Sequence, residues 1–431
     1  MSDFLQLLAS NRNYRYTWVG QVVSEVGDHF NSIAVFSLAL AQTRPGLAMT
    51  GVMLARAVPA ILAGPVAGVL LDRMDRKRIM IASDLIRAVV ALGFILTLWS
   101  RDSWLLYLLS ALLMFASPFF TAGRSAILPT IATSQELHTA NSLTQTTQWA
   151  TLSLGAYLGG VSVVQFGYQW AFVFNAISFV FSAACISALR VEKGHFRAER
   201  SSLTETDMAR PWHEYVEGLR YMRSSPFILG LALVAVGWAS GGGAAQILFS
   251  LFAELVFHRG PAGMGMLWGA AGAGLLVGGA LAHSMGKHLS FVAYKRVIFI
   301  VYIIHGGAYI IFSQMRNFGA ALVFIALSRA AVAISSVLNF SQLLRHVGDE
   351  YRGRVFATME TLTWAVMMVS MMAAGIASES WSPRAIGAIS GLFSSMTAFY
   401  WGWANWTGRL PEPSAAGVEP EEVEVHGDPV I

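Results

Sequence analysis

The feature that most limits what this chain can fold into is a series of twelve apolar runs, each about as long as a bilayer is thick. A membrane-crossing helix needs roughly 20 mostly apolar residues. Such runs occupy residues 15–41, 47–71, 79–100, 104–125, 139–165 and 169–190, then 226–256, 262–285, 293–314, 318–343, 351–378 and 384–407. In lipid every backbone polar group must be satisfied within the chain, and runs of this length do so as helices. The expected class is therefore an all-α integral membrane protein with twelve transmembrane helices in two six-helix bundles. Composition agrees, with 55% hydrophobic and 13% charged residues against roughly 25% charged in a soluble domain. The lone cysteine, Cys185, excludes an intramolecular disulfide and a cysteine-based metal cluster. The polar, basic opening residues carry no leader-cleavage pattern, so none is expected.

The halves divide as residues 1–190 and 226–408, joined by a polar linker over 191–225 and followed by an acidic extension over 409–431. From Pro411 onward the chain carries Glu412, Glu419, Glu421, Glu422, Glu424 and Asp428 with no Lys or Arg. With its prolines and lack of periodicity, that stretch is expected to be disordered. In the linker, "PWHEYVEGLRYMR" sets Trp212, Tyr215, Val216, Leu219 and Met222 on one helical face and Glu214, Glu217, Arg220 and Arg223 on the other. Such a helix is expected to lie along the inner membrane surface. The loops on one side hold twenty-one Lys and Arg, those on the other five. That bias places both termini and the linker in the cytoplasm, in a cytoplasmic (inner) membrane.

The halves also repeat. "GVLLDRMDRK" (68–77) aligns on "GALAHSMGKH" (279–288), and "ELHTANSLTQTTQWA" (136–150) on "EYRGRVFATMETLTW" (350–364), at offsets of 211 and 214. Parallel six-helix repeats are a transporter architecture with its site near mid-bilayer between the halves. The stretch "GVLLDRMDRKRIM" resembles the loop signature of the major facilitator superfamily, through Gly68, Leu70, Asp72, Arg73, Arg76 and Lys77. Asp75 replaces the second glycine of that signature, in a turn where left-handed geometry is expected and Asp tolerates it. "NRNYRYTWVGQVVSEVGD" (11–28), "ASDLIRAVV" (82–90), "GRSAILP" (123–129), "ANSL" (140–143), "EYVEGLRYMRSSP" (214–226) and "DEYRGRVFAT" (349–358) resemble one branch, the drug–proton antiporters that include macrolide-efflux and enterobactin exporters. "LGAYLGG" (154–160) departs from many proton-driven exporters, with Ala156 in place of proline.

The resemblance implies a secondary transporter that alternates a central site between the membrane faces. It implies proton-coupled export of amphipathic small molecules of drug or siderophore type. The alternatives are a lipid or metabolite carrier without proton coupling, and a transport-incompetent sensor or scaffold. It further implies that Asp72 belongs to a charge relay at a cytoplasmic gate with Gly68, Arg73, Arg76 and Lys77. Asp84, Arg87 and Arg124 are expected to extend that relay. The first, fourth, seventh and tenth segments line the cavity in the family, which makes Phe119, Phe120, Trp238, Gln246 and Phe249 candidate liners by location. No cofactor, metal or nucleic acid is called for, and the expected state is a monomer among lipids. The chain has no HExxH, no GxSxG and no nucleotide-binding loop, so it is not expected to be an enzyme.

Charges inside the apolar runs carry the rest. "GQVVSEVGDHFNSIAVF" (20–36) puts Gln21, Ser24, Glu25, Asp28, Asn31 and Ser32 at helical spacing. Residues 25 and 28 share a side, and such a stripe belongs against a partner helix or an aqueous cavity rather than lipid. Either carboxylate can carry a proton or meet a cationic substrate, or serve in a structural pair. Asp28 lies about 20 Å along its segment and Arg56 about 24 Å along the next, antiparallel one. An Asp28–Arg56 pair is therefore expected, which leaves Glu25 as the exchangeable group. Depth likewise matches Arg329 with Glu360, and that pair is expected in the second half. Glu254, near His258, is expected to reach the interface; His283 leaves the second gate weaker; His305 has no evident partner. Gly265/Gly269 and Gly274/Gly278 are spaced for close helix packing, and Gly241–Gly243 for packing or bending.

Overall fold

The structure, a computed structural model, describes residues 2–42, 45–99, 104–190, 196, 210–286 and 288–413. Most of the linker's first half and the acidic extension from residue 414 lie outside the described residues. All twelve apolar runs are helical. The order is α1 (Ser2–Ser10), α2 (Arg12–Gln42), α3 (Pro45–Arg73), α4 (Arg76–Gly93), α5 (Trp104–Ile131), α6 (Ser134–Phe166) and α7 (Tyr168–Ser187). Then come α8 (Arg210–Ser224), α9 (Pro226–Leu251), α10 (Gly260–Gly286), α11 (Phe291–Gln314), α12 (Phe318–His346), α13 (Asp349–Ala377) and α14 (Pro383–Trp406). A 3-10 turn, Phe94–Leu98, extends α4, and a π-helical turn, Phe252–Val256, extends α9. Among the described residues nine helices are apolar and long enough to cross a membrane on their own. The other three, α2, α6 and α14, are long enough at 31, 33 and 24 residues.

Short polar residues start these helices. Thr133 and Glu136 form a reciprocal capping box at α6, and Ser225, Ser290, Asn317 and Ser382 each accept a backbone N–H at the starts of α9, α11, α12 and α14. Each such cap contributes about 1 kcal/mol. Asp75 belongs to this set and corrects an expectation. Its backbone is extended (φ −69°, ψ 113°), and its carboxylate caps α4 by accepting from the Arg78 N–H at 3.0 Å. It stands in the signature as a helix cap, with no left-handed turn to accommodate.

The two bundles pack by one scheme. In the first, α2 packs on α6 and α7, α3 on α5, and α4 on α5 and α7. In the second, α9 packs on α13 and α14, α10 on α12, and α11 on α12 and α14. Each contact is the image of the other under the repeat. The bundles meet along two related seams, α6 with α10 and α3 with α13.

Both seams are tight at the end away from the "GVLLDRMDRK" loop. A Cβ built on Gly160 would stand 2.6 Å from the Pro261 carbonyl oxygen and 3.1 Å from the Gly265 Cα. Ser153 of α6 donates to the Gly269 carbonyl of α10 at 2.8 Å. On the other seam, a Cβ on Gly46 would stand 2.7 Å from the Gly375 carbonyl oxygen. At the loop end the same two helices part: a Cβ on Gly68 of α3, or on Gly353 of α13, would meet no atom within 4 Å. Gly68 therefore makes no close helix approach in this state. Along this seam the molecule is shut at one end and parted at the end bearing the basic loops.

The linker helix also departs from expectation. Rather than only resting on the membrane surface, α8 docks on the open end of α13. Glu217 pairs with Arg354 at 2.9 Å, Tyr221 stacks on Tyr351 at 4.7 Å, and a Cβ on Gly218 would stand 2.9 Å from the Arg354 carbonyl oxygen. Met222 is buried beneath it. The side chains of residues 211–214, Trp212 and Glu214 included, lie outside the described residues.

Candidate functional site

The polar side of α2 faces into the first bundle, with Gln21, Ser24 and Asn31 buried. Asp28 sits there with its side chain 31% exposed, and its nearest basic partner is Arg87 of α4 at 4.0 Å. Arg87, 3% exposed, also bonds Asp84 one turn before it, and Asp84 is 0% exposed. The Arg87 guanidinium lies 4.7 Å from the centre of the Phe120 ring and 4.3 Å from that of Phe179. Two carboxylates and two ring faces thus enclose one cation, which is how a buried charge becomes tolerable.

This arrangement changes three expectations. Asp84 and Arg87 belong to a mid-membrane cluster with Asp28 rather than to the loop-end gate. Arg56 is not within ion-pair distance of Asp28; it donates to the Ser32 hydroxyl at 3.1 Å and lies over the Phe36 ring at 5.5 Å. It still acts electrostatically on Asp28. Phe120 is buried against Arg87 instead of lining an open cavity.

Glu25 has partners that sequence did not reveal. One carboxylate oxygen accepts from Gln21 at 2.7 Å, the other from the Thr151 hydroxyl of α6 at 2.7 Å. The basic charge acting on it is Arg124 of α5. Arg124 makes no ion pair within 4.0 Å with Glu25 or Asp72 among the described residues, and one of its guanidinium nitrogens has no hydrogen-bond partner there. Thr151 lies two residues before Ser153, which bonds α10 across the seam. A change at Glu25 is thus two residues from the contact between bundles.

At the open end, Asp72 meets Arg76 at 4.0 Å. Arg76 also donates to the Ala126 carbonyl of α5 at 2.8 Å. Lys77 donates to the Ser187 and Leu189 carbonyls, at 2.7 and 2.9 Å, where α7 ends. Arg73 and Asp72 are exposed. The signature loop thus ties α3, α4, α5 and α7 together on one side of the opening.

In the second bundle the structure does not bring Arg329 and Glu360 together. Glu360 is exposed on α13, while Arg329 is 8% exposed within the bundle, over the Phe249 ring at 5.2 Å. A ring contact contributes about 0.5–2 kcal/mol, less than the several kcal/mol that burying a lone ion costs. Phe249 is fully buried, against Trp268 and Phe312 as well, and so is no cavity liner. Phe119, Trp238 and Gln246 remain partly exposed. His305 does have partners: one ring nitrogen lies 2.8 Å from the Ser328 hydroxyl, the other 2.7 Å from the Ser394 hydroxyl.

Those contacts expose a deeper repeat. Ser178 and Ser182 of α7 recur as Ser390 and Ser394 of α14, at an offset of 212. Ser394 bonds His305 on α11, whereas the matching Ser182 hydroxyl has no hydrogen-bond partner among the described residues. Only the second bundle pins its third helix to its sixth through such a serine. The common offset was the available signal, but serines are too frequent to stand out without the fold.

Comparison with known proteins agrees with this architecture. The profile described as Major Facilitator Superfamily matches residues 17–366. The chain is 24% identical over 363 residues to a putative bacilysin exporter, BacE, of Bacillus amyloliquefaciens, covering 84% of this chain and 87% of that one. It is 22% identical over 362 residues to macrolide efflux protein A of Streptococcus pyogenes, covering 82% and 85%. Its fold matches the crystal structure of a bacterial homologue of the iron transporter ferroportin in an inward-facing state, with a TM-score of 0.65 at 15% identity over 90% of this chain and 98% of that one. With twelve helices in two repeat-related bundles, and a profile match over most of its length, the chain belongs to the major facilitator superfamily of membrane transporters.

Proposed function

We propose that this transporter exports amphipathic small molecules in exchange for protons, seated in the cytoplasmic membrane with its basic loops and both termini inside. The observation that carries the reading is the setting of Glu25. It is a partly exposed carboxylate at membrane depth, held by Gln21 and Thr151 and within the field of Arg124. A carboxylate so placed is costly unless it has work to do. Protonating it removes the charge that Arg124 and the Thr151 hydroxyl hold, at a point two residues from the Ser153–Gly269 bond across the seam. Proton occupancy and seam geometry then favour or disfavour one another. The opening at the basic end is where a substrate would enter from the cytoplasm. The efflux functions named for the two relatives support the export direction.

The test is transport in proteoliposomes, with a panel of lipophilic cationic dyes and macrocyclic lactones and an imposed pH gradient. Wild type accumulates the carried compound only with the gradient. Glu25→Gln loses gradient-driven accumulation yet retains exchange of labelled for unlabelled compound. Wild-type uptake that ignores the gradient would remove proton coupling and favour a carrier without it.

A further inference from the structure

The end of the first bundle that bears the basic loop holds a polar cavity apart from Glu25 and Asp28. There α2 and α6 begin and α7 ends, and two asparagines tie the three together. Asn11 accepts from the Tyr14 N–H at 2.9 Å, and its amide donates to the Ile131 carbonyl at 2.7 Å and to Glu136 at 3.3 Å. Asn13 pairs with the backbone of Arg190 in both directions, donating to its carbonyl at 2.7 Å and accepting from its N–H at 3.1 Å. These ties hold open a cavity of about 360 Å³, whose lining includes Asn11, Arg12, Asn13, Glu136 and Arg190. That volume lies in the range of small-ligand sites.

The charges around the cavity do not satisfy one another. Neither Arg12 nor Arg190 has a carboxylate within 4.0 Å among the described residues. Arg12 donates only to the Tyr16 hydroxyl, at 3.3 Å, and the Arg190 guanidinium makes no hydrogen bond among the described residues. Glu136 uses one carboxylate oxygen for Asn11 and the Thr133 cap. Its other oxygen accepts no hydrogen bond among the described residues. The cavity also lies at the membrane surface. Ser10, the last residue of α1, lines it. Leu7 of that helix is buried against the bundle with Tyr14, Ala140 and Leu143, while Leu5 is 63% exposed. A short helix with apolar residues on both counts belongs at the headgroup boundary.

From this geometry we propose that the cavity binds the headgroup of a phospholipid whose phosphate is esterified to a primary amine, in the leaflet on the side of the basic loop. Arg12 and Arg190 take the phosphate through charge-assisted hydrogen bonds, and the free oxygen of Glu136 takes the ammonium. A quaternary amine has no N–H to donate to Glu136, and a phosphoglycerol headgroup has no cation to offer it. The site does not depend on the direction or coupling of transport.

The test is thermal unfolding of the purified full-length protein in a mild detergent, titrated in turn with phosphatidylethanolamine, phosphatidylcholine and phosphatidylglycerol of identical acyl chains. Wild type gains Tm with saturation, and half-saturation with phosphatidylethanolamine comes at about tenfold lower concentration, the worth of one hydrogen bond between charged groups. Glu136→Gln keeps the cap, since Gln also serves in a capping box, and loses the preference over phosphatidylcholine. Arg190→Gln alters an exposed side chain, leaves the lipid-free Tm unchanged, and raises half-saturation for phosphatidylethanolamine about tenfold by the same reckoning. Glycerophosphoethanolamine, the same headgroup without acyl chains, binds more weakly than the lipid. Equal half-saturation would assign the cavity to a soluble phosphoamine and overturn the lipid as its occupant. The proposal is also overturned if phosphatidylethanolamine saturates no more tightly than the other two lipids, or if both variants keep the wild-type preference.

Discussion

Among the residues, Asp84 and Arg87 show how this chain can hold charge at membrane depth. Arg87 touches Asp84, Asp28 and two ring faces, so each group has an assigned partner. Removing one member of a buried pair strands the other and costs about 3–5 kcal/mol. Asp84→Asn should therefore lower thermal stability sharply, whereas Asp84→Asn with Arg87→Met should recover much of the loss. Unchanged Tm in the single variant would show that Asp28 alone satisfies Arg87. Glu25 is the counterpart with function at stake, because its partners are neutral donors and a more distant cation. Losing its charge should alter coupling more than folding. Depth along a helix was legible here from the constant rise per residue. Direction around the helix was not, which is why Arg87 rather than Arg56 lies nearest Asp28.

At the scale of elements, the seams decide what can move. Glycines of α3 and α13 meet closely at the shut end and face open space at the other. The two ends of α3 should then respond oppositely to the same substitution. Gly46→Leu collides with the Gly375 carbonyl and should destabilise by about 1–3 kcal/mol. A Cβ on Gly68 meets nothing within 4 Å, so in Gly68→Leu Tm should hold while transport falls, because the added side chain obstructs closure of α3 on α13. Equal effects on stability, measured by unfolding in detergent, would argue that the open end does not close. The helix α8 rides on the same moving end of α13 through Glu217–Arg354 and Tyr221–Tyr351. From sequence its apolar face fits a membrane surface equally well, since periodicity reports that a helix has a partner but not which one.

For the molecule as a whole, alternation requires the shut seam to open. A disulfide there would arrest it. A Cβ on Gly46 would lie 3.1 Å from the Ser378 Cβ, slightly inside the usual ~3.5–4.5 Å span between bonded cysteines. With Cys185 replaced by alanine, the pair Gly46→Cys and Ser378→Cys should cross-link on oxidation. Transport should then stop and return on reduction. Transport that continues through the cross-linked protein would show that this seam stays shut during turnover. The twelve spans, their division into six and six, and the repeat that makes the bundles images of one another are legible in the chain alone. Those follow from hydrophobic length and from periodic offsets, which are one-dimensional quantities. Which charges meet, that Arg329 has no carboxylate within 4.0 Å among the described residues, and which end of the α3–α13 seam is parted emerge only from the packing. Each of these depends on how far every helix is rotated about its axis and on which neighbours the packing sets beside it.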